Sequence, residues 1–182
     1  MYWIIFGAIA LLVIIVLSKY NSFVLLRNRY ENGWAQINVE LKRRYDLIPN
    51  LVNSAKGYMT HEKEVFENVT KARSQAMQAN TVSEHGEAEA QLTKTLKSLF
   101  AVMENYPELK ANENVMKLQE ELTSTENRIS FSRQFYNDIV MRYNQSIQLF
   151  PGNIIAGMFN FHKQDYFQPD MAEVQQVPTV NL

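Results

Sequence analysis

Residues 2–17, YWIIFGAIALLVIIVL, form an unbroken apolar run without a charge. A helix over residues 1–20 would be about 30 Å long, close to the thickness of a bilayer's hydrocarbon core. Lys19 would lie at the end of that span, where a lysine snorkels to the headgroups. Tyr2 and Trp3 at one end and Tyr20 at the other match the aromatic belts of membrane interfaces. A cleaved signal peptide needs a basic segment before the run and a small-residue cleavage site after it. No Lys or Arg precedes the run, and Ser18-Lys19-Tyr20-Asn21 follows it. The pattern therefore predicts a retained transmembrane anchor. Lys19, Arg27, Arg29, Lys42, Arg43 and Arg44 all follow the span, so the positive-inside rule puts the C-terminal domain in the cytoplasm and the N-terminus outside.

From residue 21 to about 79 no strong helix stop occurs. Trp34, Ile37, Leu41, Ile48, Leu51, Ala55, Tyr58, Val65, Val69, Ala72 and Ala76 recur at spacings of three and four, the seam of a long bundle helix. Arg44 and Glu62 are charged members of that seam. Pro49 lies inside it and is expected to kink the helix. Residues 80–86 read as a loop by composition. A second helix is expected over about 87–105, with the apolar stripe Ala88, Leu92, Leu96, Leu99, Phe100 and Met103, closed by Tyr106-Pro107. A third starts near Asn112, a natural N-cap. It runs to about Leu149 with the stripe Leu118, Leu122, Thr125, Ile129, Ser132, Tyr136, Ile139, Tyr143 and Ile147. Pro151-Gly152 ends it, and a short apolar helix follows over about 154–161.

These stripes predict an all-α chain: an N-terminal transmembrane helix over 1–20, then an antiparallel bundle of long helices over 21–162, with the first and third as the long pair. Residues 163–182 read as a disordered tail. Glycine and proline number only 6 and 5, few for a turn-rich sheet. The net charge of -1 gives no reason to expect a nucleic-acid partner. The absence of cysteine excludes disulfides, thiolate zinc sites and cysteine nucleophiles.

Residues 34–52, WAQINVELKRRYDLIPNLV, resemble the opening motif of the LemA family. Lys56-Gly57-Tyr58, His61-Glu62 and Ala72-Arg73 continue it. Residues 104–114 (ENYPELKANEN) resemble a second block, and Leu118 to Leu122 with Thr125 to Ile129 a third. Tyr136-Asn137 and Tyr143-Asn144 before Phe150-Pro151 complete the set. One departure is Glu40-Leu41-Lys42 where the family pattern has Gln-Leu-Gln. The resemblance implies a bacterial single-span protein of the inner membrane with a helical-bundle domain and no established catalytic activity. A related protein works in magnetosome membranes, and family members are linked with membrane zinc metalloproteases.

The candidate positions are polar residues on these helices. Arg43, Arg44, Asp46, Pro49 and Asn50 form the densest polar cluster. It reads as a structural network at the kink, or else as a site for a lipid headgroup or partner peptide. A buried Arg44 needs a carboxylate or carbonyl partner, and Glu126, Asn137, Asp138 and Asn144 on the third helix are candidates. His61-Glu62 resembles half of a zinc-protease motif, but Val65 occupies the place of the second histidine. The chain has only three histidines. Tyr136-Asn137 and Tyr143-Asn144 repeat at heptad spacing, as packing tyrosines and register-setting asparagines do. Arg128 lies in the third family-like block. Phe150, Ile154, Ile155, Met158, Phe159, Phe161, Tyr166 and Phe167 make either a cap on the bundle or a contact with membrane or a second copy. No phosphate loop or serine-nucleophile motif occurs. The expected role is a self-associating membrane scaffold, with no cofactor and no enzymatic activity. Its expected partners are the lipid bilayer, further copies of the chain as a homo-oligomer, and a membrane protein such as a metalloprotease. The alternative role is an adaptor or sensor for such a protease or for an envelope-stress system.

Overall fold

The computed structural model describes residues 2–167. Its helices are α1 (Tyr2–Lys56), α2 (Lys63–Gln78), α3 (Val82–Met103), α4 (Pro107–Lys110), α5 (Glu113–Gln148) and α6 (Gly152–Met158), with no strand among the described residues. The chain is all-α, with a long N-terminal apolar helix and a helical bundle, as the stripes predict. It forms two compact units. One contains residues 2–36 and 132–166, the other residues 37–131 and Phe167. Helices α1 and α5 contribute to both.

The single first helix expected as far as residue 79 is two helices. α1 ends at Lys56, where the amides of Tyr58 and Met59 both bond to Ala55 O at 3.0 and 3.1 Å. The seam shifts by one residue at this turn. Met59 is buried and Tyr58 exposed, while Phe66, Val69, Ala72 and Ala76 bury the inner face of α2. The loop expected over 80–86 is also mostly helix. Thr81 Oγ1 accepts from the Glu84 amide at 3.2 Å, and Glu84 Oε2 accepts from the amides of Asn80 and Thr81 at 2.8 and 3.2 Å. This reciprocal capping box satisfies amides that a helix start leaves unpaired. Those two amides hold the Glu84 carboxyl below its usual value. Asn112 caps α5, its Oδ1 accepting from the amides of Asn114 and Val115 at 3.0 and 3.2 Å.

Pro49 lies inside α1 without ending it. Proline has no N–H, so the carbonyl four residues back, Tyr45 O, loses its helical partner. Arg73 Nε on α2 takes that place at 2.7 Å.

In the second unit, Ile37, Leu41, Ile48 and Leu51 of α1 are buried, as are Leu92, Leu96 and Leu99 of α3 and Leu122 and Ile129 of α5. Pairs Glu40–Arg128 and Arg43–Glu121 show α1 and α5 running antiparallel. In the first unit the same direction appears in ring contacts. Tyr30 meets Tyr143 at 5.1 Å between centroids and Trp34 meets Tyr136 at 5.8 Å. Phe23, Tyr143, Ile147, Ile155 and Ala156 form the core there, with Val16, Leu26, Tyr30 and Phe161 packed on it. Gly152 is required at the start of α6. A Cβ there would lie 2.2 Å from Ser146 O and 3.2 Å from the Phe23 ring.

After α6 the described chain has no further regular secondary structure. Residues 163–167, assigned to the tail by the sequence pattern, are placed by specific bonds. Asn144 donates Nδ2–H to Gln164 O and accepts the Gln164 amide at Oδ1, both at 2.9 Å. Tyr136 OH donates to Asp165 O at 3.0 Å, and Phe167 is buried. Residues 168–182, the rest of that expected tail, lie outside the described residues.

Candidate functional site

The second unit contains a buried ionic cluster. Arg44 falls on the seam of α1 between Leu41 and Ile48, so the helix period points it inward, and its side chain is 4% exposed. Its Nη1 donates to Glu89 Oε2 on α3 at 2.8 Å, and its Nη2 to Thr93 Oγ1 at 2.8 Å. Glu126 Oε2 on α5 lies 2.8 Å from the same Nη1 but outside hydrogen-bond alignment, so its contribution is charge attraction. Tyr45 completes the cluster by donating its hydroxyl to Glu89 Oε1. One guanidinium thus ties α1 to α3 and α5 at a single level.

The electrostatics follow from burial. Taking Glu89 out of water raises its carboxyl above the usual value, and Glu126 adds to the rise, while Arg44 and the Tyr45 hydroxyl oppose it. The Tyr45 phenol is pushed up by burial and then by Glu89, so it stays a donor. The Arg44 fork is already committed to two carboxylates and a hydroxyl. A cavity of about 130 Å³ opens beside it, lined by Leu96, Phe100, Leu122 and Glu126 among others. The arrangement is a polar clamp.

The other sequence candidates are spread more widely. Arg43 pairs with Glu121 at the surface, and Arg128 lies 3.8 Å from Glu40. Asp46 is exposed, its carbonyl accepting weakly from Asn50 Nδ2 at 3.4 Å. Glu62 is half-buried and its Oε1 accepts from Tyr106 OH at 3.1 Å. His61 is exposed, and among the described residues no three His, Asp or Glu side chains gather as metal ligands. Of the four third-helix residues considered as partners of Arg44, only Glu126 reaches it. Tyr136 and Asn144 hold the segment after α6, and Tyr143 packs in the first unit's core. Asn137 is half-buried.

Glu89, Tyr45, Thr93 and Arg73 are the positions that the sequence reading missed. Glu89 had a signal: it stands three residues before Leu92 and seven before Leu96, on the inward stripe of α3. A carboxylate there announces a buried cation, as Arg44 on its own stripe announces a buried anion.

The motif blocks agree with a match over most of the chain, since the model of the LemA family matches residues 33–182. The chain belongs to the LemA family. It is 25% identical to the magnetosome protein MamQ of Paramagnetospirillum magneticum, over 92% of this chain and 71% of that relative. It is 24% identical to the protein LemA of Metamycoplasma hominis, over 92% of this chain and 77% of that one. A MamQ protein of Magnetospirillum gryphiswaldense is 23% identical, over 84% and 65%. Family and relatives together indicate a membrane-associated helical protein. None of these names is that of an enzyme.

Proposed function

We propose that the chain is a membrane-anchored helical scaffold, held in the bilayer by the first part of α1 and offering its bundle to partners. The exposure of α1 carries this reading. Every residue from 2 to 15 is exposed, in a helix whose apolar window is long enough to cross a membrane and has none of its residues buried. The core helix of a soluble protein would cover that surface. Exposed apolar surface of this extent calls for a solvent other than water. The same helix continues unbroken to Lys56, so anchor and bundle share one backbone element.

The basic residues that follow the span support a bundle on the cytoplasmic face of the bacterial inner membrane. Self-association is supported by Phe131 and Phe135, which stand four residues apart on α5 and are 72% and 47% exposed. Light scattering on the full-length chain in mild detergent is expected to give an oligomer. Phe131→Ser with Phe135→Ser is expected to shift it to monomer with unchanged circular dichroism. A wild-type chain that is monomeric at all concentrations in both detergent and lipid would overturn self-association. For orientation, a cysteine replacing Ser83 is expected to resist an impermeant reagent until the cells are lysed. Labelling in intact cells would put the bundle outside.

A further inference from the structure

The geometry points to a second membrane contact: α6 and the turn before it lie in the interfacial layer of the bilayer, beside the spanning part of α1. This inference rests on the anchor reading. It adds a lipid-facing surface outside the spanning segment.

Three observations place the surface. The first is level. Val16, inside the apolar run, packs on the core cluster that contains Ile155 and Ala156 of α6. Tyr20, three residues after that run, meets Phe159 at 4.9 Å and Phe161 at 5.7 Å, both edge-on. Helix α6 therefore sits alongside the last turn of the apolar run and the residues just after it. If that turn is at the hydrocarbon boundary, α6 is there too.

The second is exposure. α6 buries Gly152, Ile155 and Ala156 on one side. Its other side and flanks leave Leu149, Phe150, Ile154, Met158 and Phe159 exposed at 66, 79, 55, 68 and 46%. Ile154 and Met158 are four residues apart and share a face. A surface helix in water would carry polar groups there.

The third is charge. No charged residue occurs between Arg142 and Lys163. Basic residues border the patch: Arg27 lies over the Phe161 ring at 5.7 Å, and Arg142 and Lys163 flank it in sequence. Apolar and aromatic residues inside a basic margin are the composition of an element lying about 5–10 Å into the headgroup and acyl boundary. Two attachment points would also fix the tilt of the first unit, which a lone span leaves free to turn.

The test uses the full chain, whose lack of cysteine gives a clean background. Single cysteines replace Ile154, Met158, Ile9 or Ser83, and each carries an environment-sensitive fluorophore. The proteins are reconstituted in phosphatidylethanolamine–phosphatidylglycerol vesicles containing lipids with a nitroxide near the headgroup or near the chain terminus. Labels at Ile154 and Met158 are expected to shift to the blue and to be quenched several-fold more by the shallow nitroxide than the Ser83 label. The Ile9 label is expected to respond most to the deep one. Quenching at Ile9 but not at Ile154 and Met158 overturns the second contact and leaves the anchor standing. No quenching at Ile9 removes the anchor itself. Labels at Ile154 that escape lipid quenching, yet form excimers when pyrene is used, would assign the patch to a second copy and overturn the lipid contact.

Discussion

Helix α1 breaks the usual relation between polarity and exposure twice, in opposite senses. Its first turns are apolar and exposed. Near its middle, Arg44 is charged and buried. The two anomalies have different remedies. A buried charge is tolerated when partners on the same chain surround it, and Glu89, Thr93 and Glu126 do so. Exposed apolar surface finds no cover among the described residues, and in the anchor reading proposed above lipid covers it. The first region therefore describes the protein's surroundings, and the second describes its interior.

Removing the buried partner should have the largest effect. Arg44→Ala leaves Glu89 in the interior without its cation, and breaking a buried pair this way costs about 3–5 kcal/mol. Arg44→Met, which keeps volume, still strands Glu89. Arg44→Met with Glu89→Leu is expected to recover most of the loss, measured by chemical denaturation of the detergent-solubilised chain. A double variant no more stable than Arg44→Met alone would show that the cluster does more than satisfy itself.

A smaller effect isolates the proline. Arg73→Ala orphans Tyr45 O, at about 1–3 kcal/mol for an unsatisfied buried acceptor. In a Pro49→Ala background the backbone amide restored at that position can bond Tyr45 O itself. The same Arg73→Ala change should then cost clearly less. Equal costs in the two backgrounds, in a double-mutant cycle, would mean that Arg73 acts through something other than that carbonyl.

How much of this was legible follows from where each signal lay. The α5 stripe was legible because its three-four alternation is carried by one element: Leu122, Thr125, Ile129, Tyr136, Ile139, Tyr143 and Ile147 are buried, and Leu118 and Ser132 are half-buried. The end of α1 was hidden because apolar spacing continues across the turn through Ala55, Val65 and Val69. The start of α3 was hidden because Asn80, Thr81 and Ser83 read as loop residues, although Thr81 and Glu84 spell a capping box. Arg44 announced that it needed a carboxylate. Its main partner lies 45 residues away on another helix, and periodicity along one helix cannot pair two. The same is true of Asn144 and Gln164. Nothing in the local composition of residues 163–167 signals a strap held by a distant asparagine.

Glu89 also gives the comparison a pH dependence. Its folded value is raised, because burial outweighs the attraction of Arg44. Proton uptake then favours the folded state. The stabilisation from that proton is full below the ordinary carboxylate value and lost as pH rises through the raised value. Relative to wild type, Glu89→Gln should therefore gain melting temperature as pH rises from the ordinary carboxylate value through the raised one. A difference that moves the other way would show the ion pair dominating burial. The smallest effect is expected at the surface. Arg43→Ala removes one exposed pairing and should change stability by less than about 1 kcal/mol.

The most direct test of the central claim is extraction of membranes with alkaline carbonate. The full chain is expected to stay in the pellet. A variant lacking residues 2–17 should move to the supernatant while keeping the thermal transition of the bundle in residues 37–131. Release of the full chain into the supernatant would contradict the account, because the exposed apolar start of α1 would then have some cover other than the bilayer.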